Sequence, residues 1–298
     1  MTTQRCGYVA ILGRPNVGKS TLLNRILGQK VSITSRKPQT TRHQLLGIRT
    51  LADHQILYVD TPGIHGQEQR AINRYMNRSA LSVISDVDLA VFIVDRTAWT
   101  SDDQIVADAL LADLDGKLII AINKIDQLDN KEKLLPVLAD LQSRFPKADV
   151  IPISAVTGEN VSRLEDIIGG LLPPGPFYFP EDQITDRSER FMVSEIVREK
   201  LMRQLGKELP YSVTIQVDRF VIEGEVTQID ATIYVERESQ KAIVIGGKGV
   251  RLKQIGSDAR RDMEKLLGTR VMLTTWVKVK SGWSDDERAL KSLGYDQV

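Results

Sequence analysis

Gly13-Arg-Pro-Asn-Val-Gly18-Lys19-Ser20 decides the fold. It is a complete GxxxxGKS pattern, preceded by the apolar run Tyr8-Val-Ala-Ile-Leu12 and followed by an amphipathic helical pattern from Thr21 to Leu27. Strand, glycine-rich turn and helix in that order present a curl of backbone N–H groups and the positive end of a helix dipole to phosphate oxygens. Composition alone yields this pattern in roughly 0.01 of chains this long. Lys19 is placed to reach β and γ phosphates and the Ser20 hydroxyl to ligate Mg²⁺. Arg14, Pro15, Asn16, Val17 and Thr21 complete the nucleotide-touching segment.

Outward from this loop, short apolar runs alternate with helical periodicity: Gln55 to Asp60, Leu89 to Asp95, Lys117 to Asn123 and Asp149 to Ser154. Runs without polar interruption suit strands buried on both faces, so the first half reads as α/β, a mostly parallel sheet with helices on both sides. Leu45 to Leu51 reads as an edge strand. The ligand then lies beyond the carboxyl ends of the strands. Four prolines between Pro173 and Pro180 interrupt the pattern, and an extended segment of that length spans about 25 Å as a semi-rigid spacer. The domains are therefore expected at 1–172, with a linker at 173–186 and a smaller α+β domain at 187–298.

Three further segments fall at strand ends. Asp60-Thr61-Pro62-Gly63 places a carboxylate where it can hold a Mg²⁺ water and a Gly63 N–H where it can sense a γ-phosphate. Asn123-Lys124-Ile125-Asp126 supplies a carboxylate, expected to be buried, that accepts from guanine N1–H and N2; adenine lacks that donor pair. Each charged hydrogen bond is worth about 1.5–3 kcal/mol. Ser154-Ala155 closes the base pocket, with the Ala155 N–H expected to meet guanine O6. The polar loop from Arg36 to Arg42 can fold over the γ-phosphate, with Thr41 as the second Mg²⁺ ligand and Thr40 as the alternative. Lys19, Thr41, Asp60 and Gly63 form the candidate catalytic set, with GTP and GDP as ligands.

Beyond the linker, a helix from about Ser188 to Leu205 precedes strands Tyr211 to Ile222 and Gln228 to Glu236. Then come Ile243-Val-Ile-Gly246-Gly247-Lys248-Gly249, a second helix to about Leu267, and a strand Val271 to Val279. The glycines let backbone approach sugar-phosphate, Lys248 brings charge to the loop tip, and Ile243, Ile245 and Leu252 can floor a groove ringed by Arg251, Lys253, Arg260 and Arg261. Val250, Ile255, Ala259 and Met263 carry the helical core pattern. The segment resembles a KH motif, and the order α-β-β-α-α-β is that of the bacterial type, which implies single-stranded RNA binding at Gly246 to Gly249, Arg251 and Lys253. Trp276 alternates into the last strand and reads as core, whereas Trp283 reads as the exposed aromatic. The last twenty residues read as a short frayed helix.

The 298 residues carry 40 Lys and Arg against 39 Asp and Glu, a formal charge of +1, so nucleic-acid affinity must come from a local patch. A single cysteine, Cys6, excludes an intramolecular disulfide. His43, His54 and His65 have no cysteine partners at zinc spacing. No apolar run approaches the ~20 residues of a membrane helix, and the first residues lack a secretion signal, so a cytosolic or surface-attached protein is expected.

The G-domain motifs resemble the translation-factor-related GTPases of the Era and tRNA-modification type. Ile64 stands where Ras-like proteins place a water-orienting glutamine, and Asn16 matches members that recruit K⁺ near the β and γ phosphates. With QTTRH, YVDTPG, NKID, ITDRSERFM, ELPYSV, GGKG and VKVKSGW in order, the whole chain is similar to the Era family of bacterial GTPases. The segment Glu223 to Gln228 is shorter than in some members. The resemblance implies slow, K⁺-assisted hydrolysis, binding near the 3′ end of 16S rRNA during 30S subunit maturation, peripheral contact with the inner membrane, and a monomer. Alternative readings are an RNA-binding module with an idle nucleotide domain, which the intact Lys19, Ser20, Thr41 and Asp60 oppose, and a nucleotide kinase, which NKID opposes.

Overall fold

Apolar side chains at consecutive positions of the central strands enter two separate cores. Val9 and Ile11 join one apolar cluster, and Ala10 and Leu12 another. This is why the strands read as unbroken apolar runs. The computed structural model describes residues 4–35, 37, 39–66, 70–96, 99–206 and 212–295; Arg36, Pro38 and Tyr211 lie outside them. The first sheet comprises β1 (Arg5–Leu12), β2 (Leu45–Thr50), β3 (His54–Asp60), β4 (Leu89–Asp95), β5 (Lys117–Asn123) and β6 (Asp149–Pro152). Its order is β2-β3-β1-β4-β5-β6, parallel throughout except for the antiparallel edge strand β2. Helices α1 (Lys19–Leu27) and α5 (Val161–Leu171) cover one face. Helices α2 (Ala71–Leu81), α3 (Ser101–Asp113) and α4 (Leu134–Arg144) cover the other.

The proline segment is extended but is no free spacer. Pro174 bridges to Arg5 and Thr185 to Gly47. Gln55, fully buried, accepts from the N–H groups of Tyr178 (2.9 Å) and Phe179 (3.0 Å) and donates to the Phe179 carbonyl (2.9 Å). A buried side-chain amide that satisfies three backbone groups straps the segment to the sheet.

The C-terminal half follows the expected order: α6 (Glu189–Gln204), β7 (Val213–Glu223), β8 (Val226–Val235), α7 (Glu238–Ile245), α8 (Val250–Leu267) and β9 (Arg270–Val279). β8 pairs antiparallel with β7 and parallel with β9. Ile255, Ala259 and Met263 are fully buried against the sheet, but Val250, expected in that stripe, is 68% exposed at the helix start. The two tryptophans exchange their expected places. Trp276 is 45% exposed, and Trp283 is fully buried. After β9 the chain turns onto the first domain, where Trp283, Leu290 of α9 (Glu287–Ser292) and Tyr295 pack on Ile72, Tyr75 and Met76 of α2.

Candidate nucleotide site and nucleic-acid groove

The loop after β1 turns sharply enough that Gly18 sits in the left-handed region at φ 108°, and a Cβ there would lie 2.2 Å from the Asn123 amide nitrogen. Glycine therefore allows the phosphate loop and the end of β5 to touch. Asn123 completes the contact, donating to the Val17 carbonyl at 2.7 Å. Gly63 is needed for the same reason on the other side, since a Cβ would lie 2.7 Å from the Pro15 backbone. A cleft of about 440 Å³ opens between these elements, lined by Lys19, Ser20, Thr41, Gly63, Asn123 and Ala155 among others.

Lys19 is only 6% exposed and donates to the carbonyls of Gly13 (2.7 Å) and Arg14 (3.0 Å). Burial pulls its pKa down to about 8, with the Asp60 carboxylate opposing. Ser20 Oγ lies 2.8 Å from both Thr41 Oγ1 and Asp60 Oδ2. Thr40 Oγ1 instead donates to the Lys37 carbonyl at 2.7 Å, so of the two threonines Thr41 stands on the Ser20–Asp60 cluster. Ser32, which no motif marks, donates to Asp60 Oδ2 at 2.9 Å. Asp60 is fully buried, its pKa is raised by burial, and its Oδ1 has no hydrogen-bond partner among the described residues. An orphaned carboxylate oxygen beside two hydroxyls is the hard oxygen set that a divalent cation takes.

At the other end, Ser154 Oγ donates to Asp126 Oδ1 at 2.6 Å and orients that carboxylate. Asp126 itself is exposed and not buried as expected, because it follows the strand end on a short turn, and the cleft wall there is formed by Lys124, Gln127, Ala155 and Val156 and not by Asp126. The Ala155 N–H, expected to meet guanine O6, donates to Asn123 Oδ1 at 2.9 Å; a base oxygen would have to share it. Arg25 of α1 steadies this loop through the carbonyls of Ala155 and Val156. Lys124 and Arg14 share Asp95 at the end of β4, at 2.7 and 3.9 Å. Thr61 Oγ1 donates to the Ile11 carbonyl (2.9 Å), and Ile64 is buried in an apolar cluster.

The loop joining α1 to β2 faces both domains. Its Thr41 points to the cleft, while Arg198 of α6 donates to the Thr40 carbonyl at 2.6 Å. Arg42, 1% exposed, donates to the Val213 carbonyl (2.8 Å) and the Tyr295 hydroxyl (3.2 Å). His43 stacks on Tyr295 with centroids 4.5 Å apart. Lys30 pairs with buried Glu199, which also accepts from the Thr34 N–H at 3.2 Å, and Lys37 donates to the carbonyls at the end of α6. This loop is one contact between the domains, beside the packing of Trp283 and Tyr295 on α2.

In the second domain, Gly247–Gly249 is a turn of 3₁₀ helix between α7 and α8 with Lys248 left-handed at φ 52°. An open cleft of about 500 Å³ beside it is lined by Gly249, Leu252, Lys253, Arg260, Leu273 and Thr275, with Gly256 and Ser257 between. Gly246, Gly247 and Lys248 sit at its tip, outside the lining. Three expected contributors turn away. Arg251 reaches back to the Ile243 carbonyl, Arg261 pairs with Asp258, and Ile243 is exposed off the groove. Ile245 does not line it either. Leu273 and Thr275 were missed because β9 carries no motif; strand parity alone could have found them.

The fold and these two sites define a P-loop GTPase carrying a C-terminal KH domain. A family model described as 50S ribosome-binding GTPase matches residues 8–124, and a KH domain model matches residues 200–284. The chain is 60% identical to the GTPase Era of Pseudomonas putida (strain W619) over 294 residues, 99% of this chain and 98% of that protein. It is 59% identical to the GTPase Era of Azotobacter vinelandii over 291 residues, covering 98% and 97%. Two solved structures superpose with a TM-score of 0.95 at 38% identity, covering 99% of this chain and all of theirs. One is an Aquifex aeolicus Era variant bound to GDP·AlF4⁻; the other is Era with MgGDPNP and nucleotides 1506–1542 of 16S ribosomal RNA. The chain belongs to the Era family and is a GTPase.

Proposed function

We propose that the protein is a GTP-driven switch that binds 16S rRNA near its 3′ end through the KH groove and acts in 30S subunit assembly. The observation that carries this reading is the shared loop: Thr41 lies 2.8 Å from Ser20 in the nucleotide cleft, and the adjacent Thr40 carbonyl is held by Arg198 of the KH domain at 2.6 Å. The rRNA complex of the 38% identical relative supports the partner.

Ser20, Thr41 and Asp60 would hold Mg²⁺, which when bound neutralises charge on the β and γ oxygens. Lys19 exchanges its two carbonyl partners for phosphate oxygens, and the Gly63 N–H reports on the γ-phosphate. Asp126, oriented by Ser154, selects guanine. Ile64 is 1% exposed and apolar, so it neither donates to nor accepts from an attacking water, and intrinsic turnover is slow. Asn16, left-handed at φ 64° in the phosphate loop, is the proposed K⁺ ligand; replacing K⁺ by Na⁺ then lowers turnover several-fold, and equal rates remove the role. The protein acts as a monomer with a peripheral contact to the inner membrane. No described helix is long and apolar enough to cross a bilayer.

The test is GTP turnover with and without a CCUCC-containing single strand. Turnover that rises with RNA supports the switch. RNA binding without any GTP turnover supports the idle-domain alternative.

A further inference from the structure

β9 presents two different surfaces. Val271, Leu273 and Val277 belong to the helix-covered core, and Leu273 and Thr275 line the groove beside α8. By alternation Met272, Thr274, Trp276 and Lys278 point to the opposite face. There Trp276 is 45% exposed and Met272 61%. A tryptophan with nearly half its surface in water contributes little to the core and asks for another use. The register sets Thr232 opposite Trp276 and Tyr234 opposite Lys278, so a second aromatic ring lies diagonal to the first. Lys280 Nζ stands 5.8 Å from the Tyr234 ring centroid. Of the nearby carboxylates, Asp218 is engaged by the Thr232 hydroxyl at 2.6 Å and Asp230 sits opposite Thr274, away from the lysines, whereas Asp286 is near enough to Lys280 to feel its charge, and Lys280 Nζ also donates to Ser292 Oγ at 3.1 Å.

We propose that this face, centred on Trp276, is a second RNA contact. A single strand leaving the groove crosses the β9 edge beside Thr275, stacks a base on the Trp276 indole, and meets Lys278 and Lys280 with its phosphates. The proposal rests on the reading of the groove as an RNA clamp. Two observations favour RNA as the occupant. The first is continuity: Thr275 lines the groove, Trp276 follows it, and β9 is an edge strand of its sheet. The second is chemistry: aromatic rings flanked by lysines are the sequence-tolerant platform for unstacked bases. An apolar protein partner would find only Trp276 and Met272 as large exposed apolar groups on this strand.

The experiment measures affinity of the full chain for single-stranded RNA of four and of ten nucleotides, in wild type and in Trp276→Ala, Trp276→Phe and Trp276→Leu. The expected result is unchanged binding of the four-nucleotide strand and an about tenfold loss for the ten-nucleotide strand in Trp276→Ala. Phenylalanine restores most of that loss and leucine does not. Equal affinity of wild type and Trp276→Ala for the longer strand overturns the proposal. So does restoration by leucine as good as by phenylalanine, which marks an apolar protein-docking face, and so does an equal loss on both strands, which marks a structural support of the groove. Wild type that binds neither strand defeats the groove reading and this one with it.

Discussion

In the nucleotide cleft most of the deciding groups are buried: Lys19 is 6% exposed, Asn123 2%, and Asp60 and Ser154 not at all; Asp126 is the exception, exposed but fixed by the buried Ser154. In the KH groove Gly249, Lys253 and Arg260 line an open surface, and Trp276, next after the lining Thr275 on β9, is 45% exposed. A small ligand that must be told from its analogues needs fixed, desolvated partners, because an unpaired buried group is what rejects the wrong molecule. A polymer spreads its binding over many shallow contacts, each salt-dependent and each worth little. Substitutions in the cleft should therefore act as switches, and those in the groove as graded losses.

The largest effect is expected at Lys19. Lys19→Ala removes the cation that the loop carbonyls hold at 2.7 and 3.0 Å, and GTP binding by calorimetry should fall by more than about a hundredfold, two charged hydrogen bonds being lost. RNA affinity without nucleotide should stay as it was; a parallel loss of both would break the division between the regions. Next is Asp126→Asn. An amide at this position presents a donor to the C2 oxygen of xanthine, and preference should move from guanosine to xanthosine nucleotides by about tenfold or more. Retained guanosine preference would remove Asp126 from the pocket. In the groove, Gly247→Asp sets negative charge at the loop tip and should cost about tenfold in RNA affinity, whereas Lys253→Ala should cost less and reduce the salt slope by about one.

A pH dependence sharpens the seam between the regions. Burial, aided by Arg198, Arg187 and Arg42 and opposed by Glu195, holds the His43 pKa down to about 4. The unfolded chain takes that proton near pH 6.5, so the contribution is fully present above that value and is lost as pH falls toward 4. It amounts to about 3 kcal/mol at most. Thermal unfolding followed from pH 7 to 4 should show this slope, and His43→Phe, which keeps the stack on Tyr295, should flatten it.

The phosphate loop, the strands and the KH order were legible because each has a local cause: glycine spacing, runs buried on both faces, and period-2 alternation. What was illegible depends on which surface meets which. Trp276 and Trp283 were assigned oppositely because alternation tells that a face exists but not what covers it; α2 covers Trp283, and no element covers Trp276 so fully. Ser32 reaches Asp60 from a segment with no motif. Asp126 reads as buried by its role but lies on an exposed turn. The proline segment announces an extended chain, yet only the three-way bonding of Gln55 shows it strapped down. Arg251 reads as a groove cation, and local helix capping claims it first.

The loop carrying Thr41 and Arg42 belongs to both regions. The most direct test of this is the ratio of RNA affinities with a non-hydrolysable GTP analogue and with GDP, in wild type and in Tyr295→Ala. In wild type the ratio should depart from one by about fivefold or more, within the usual range of coupling energies, and it should collapse toward one when Tyr295 no longer holds Arg42 and His43. A wild-type ratio of one, or a ratio that Tyr295→Ala leaves untouched, would contradict it.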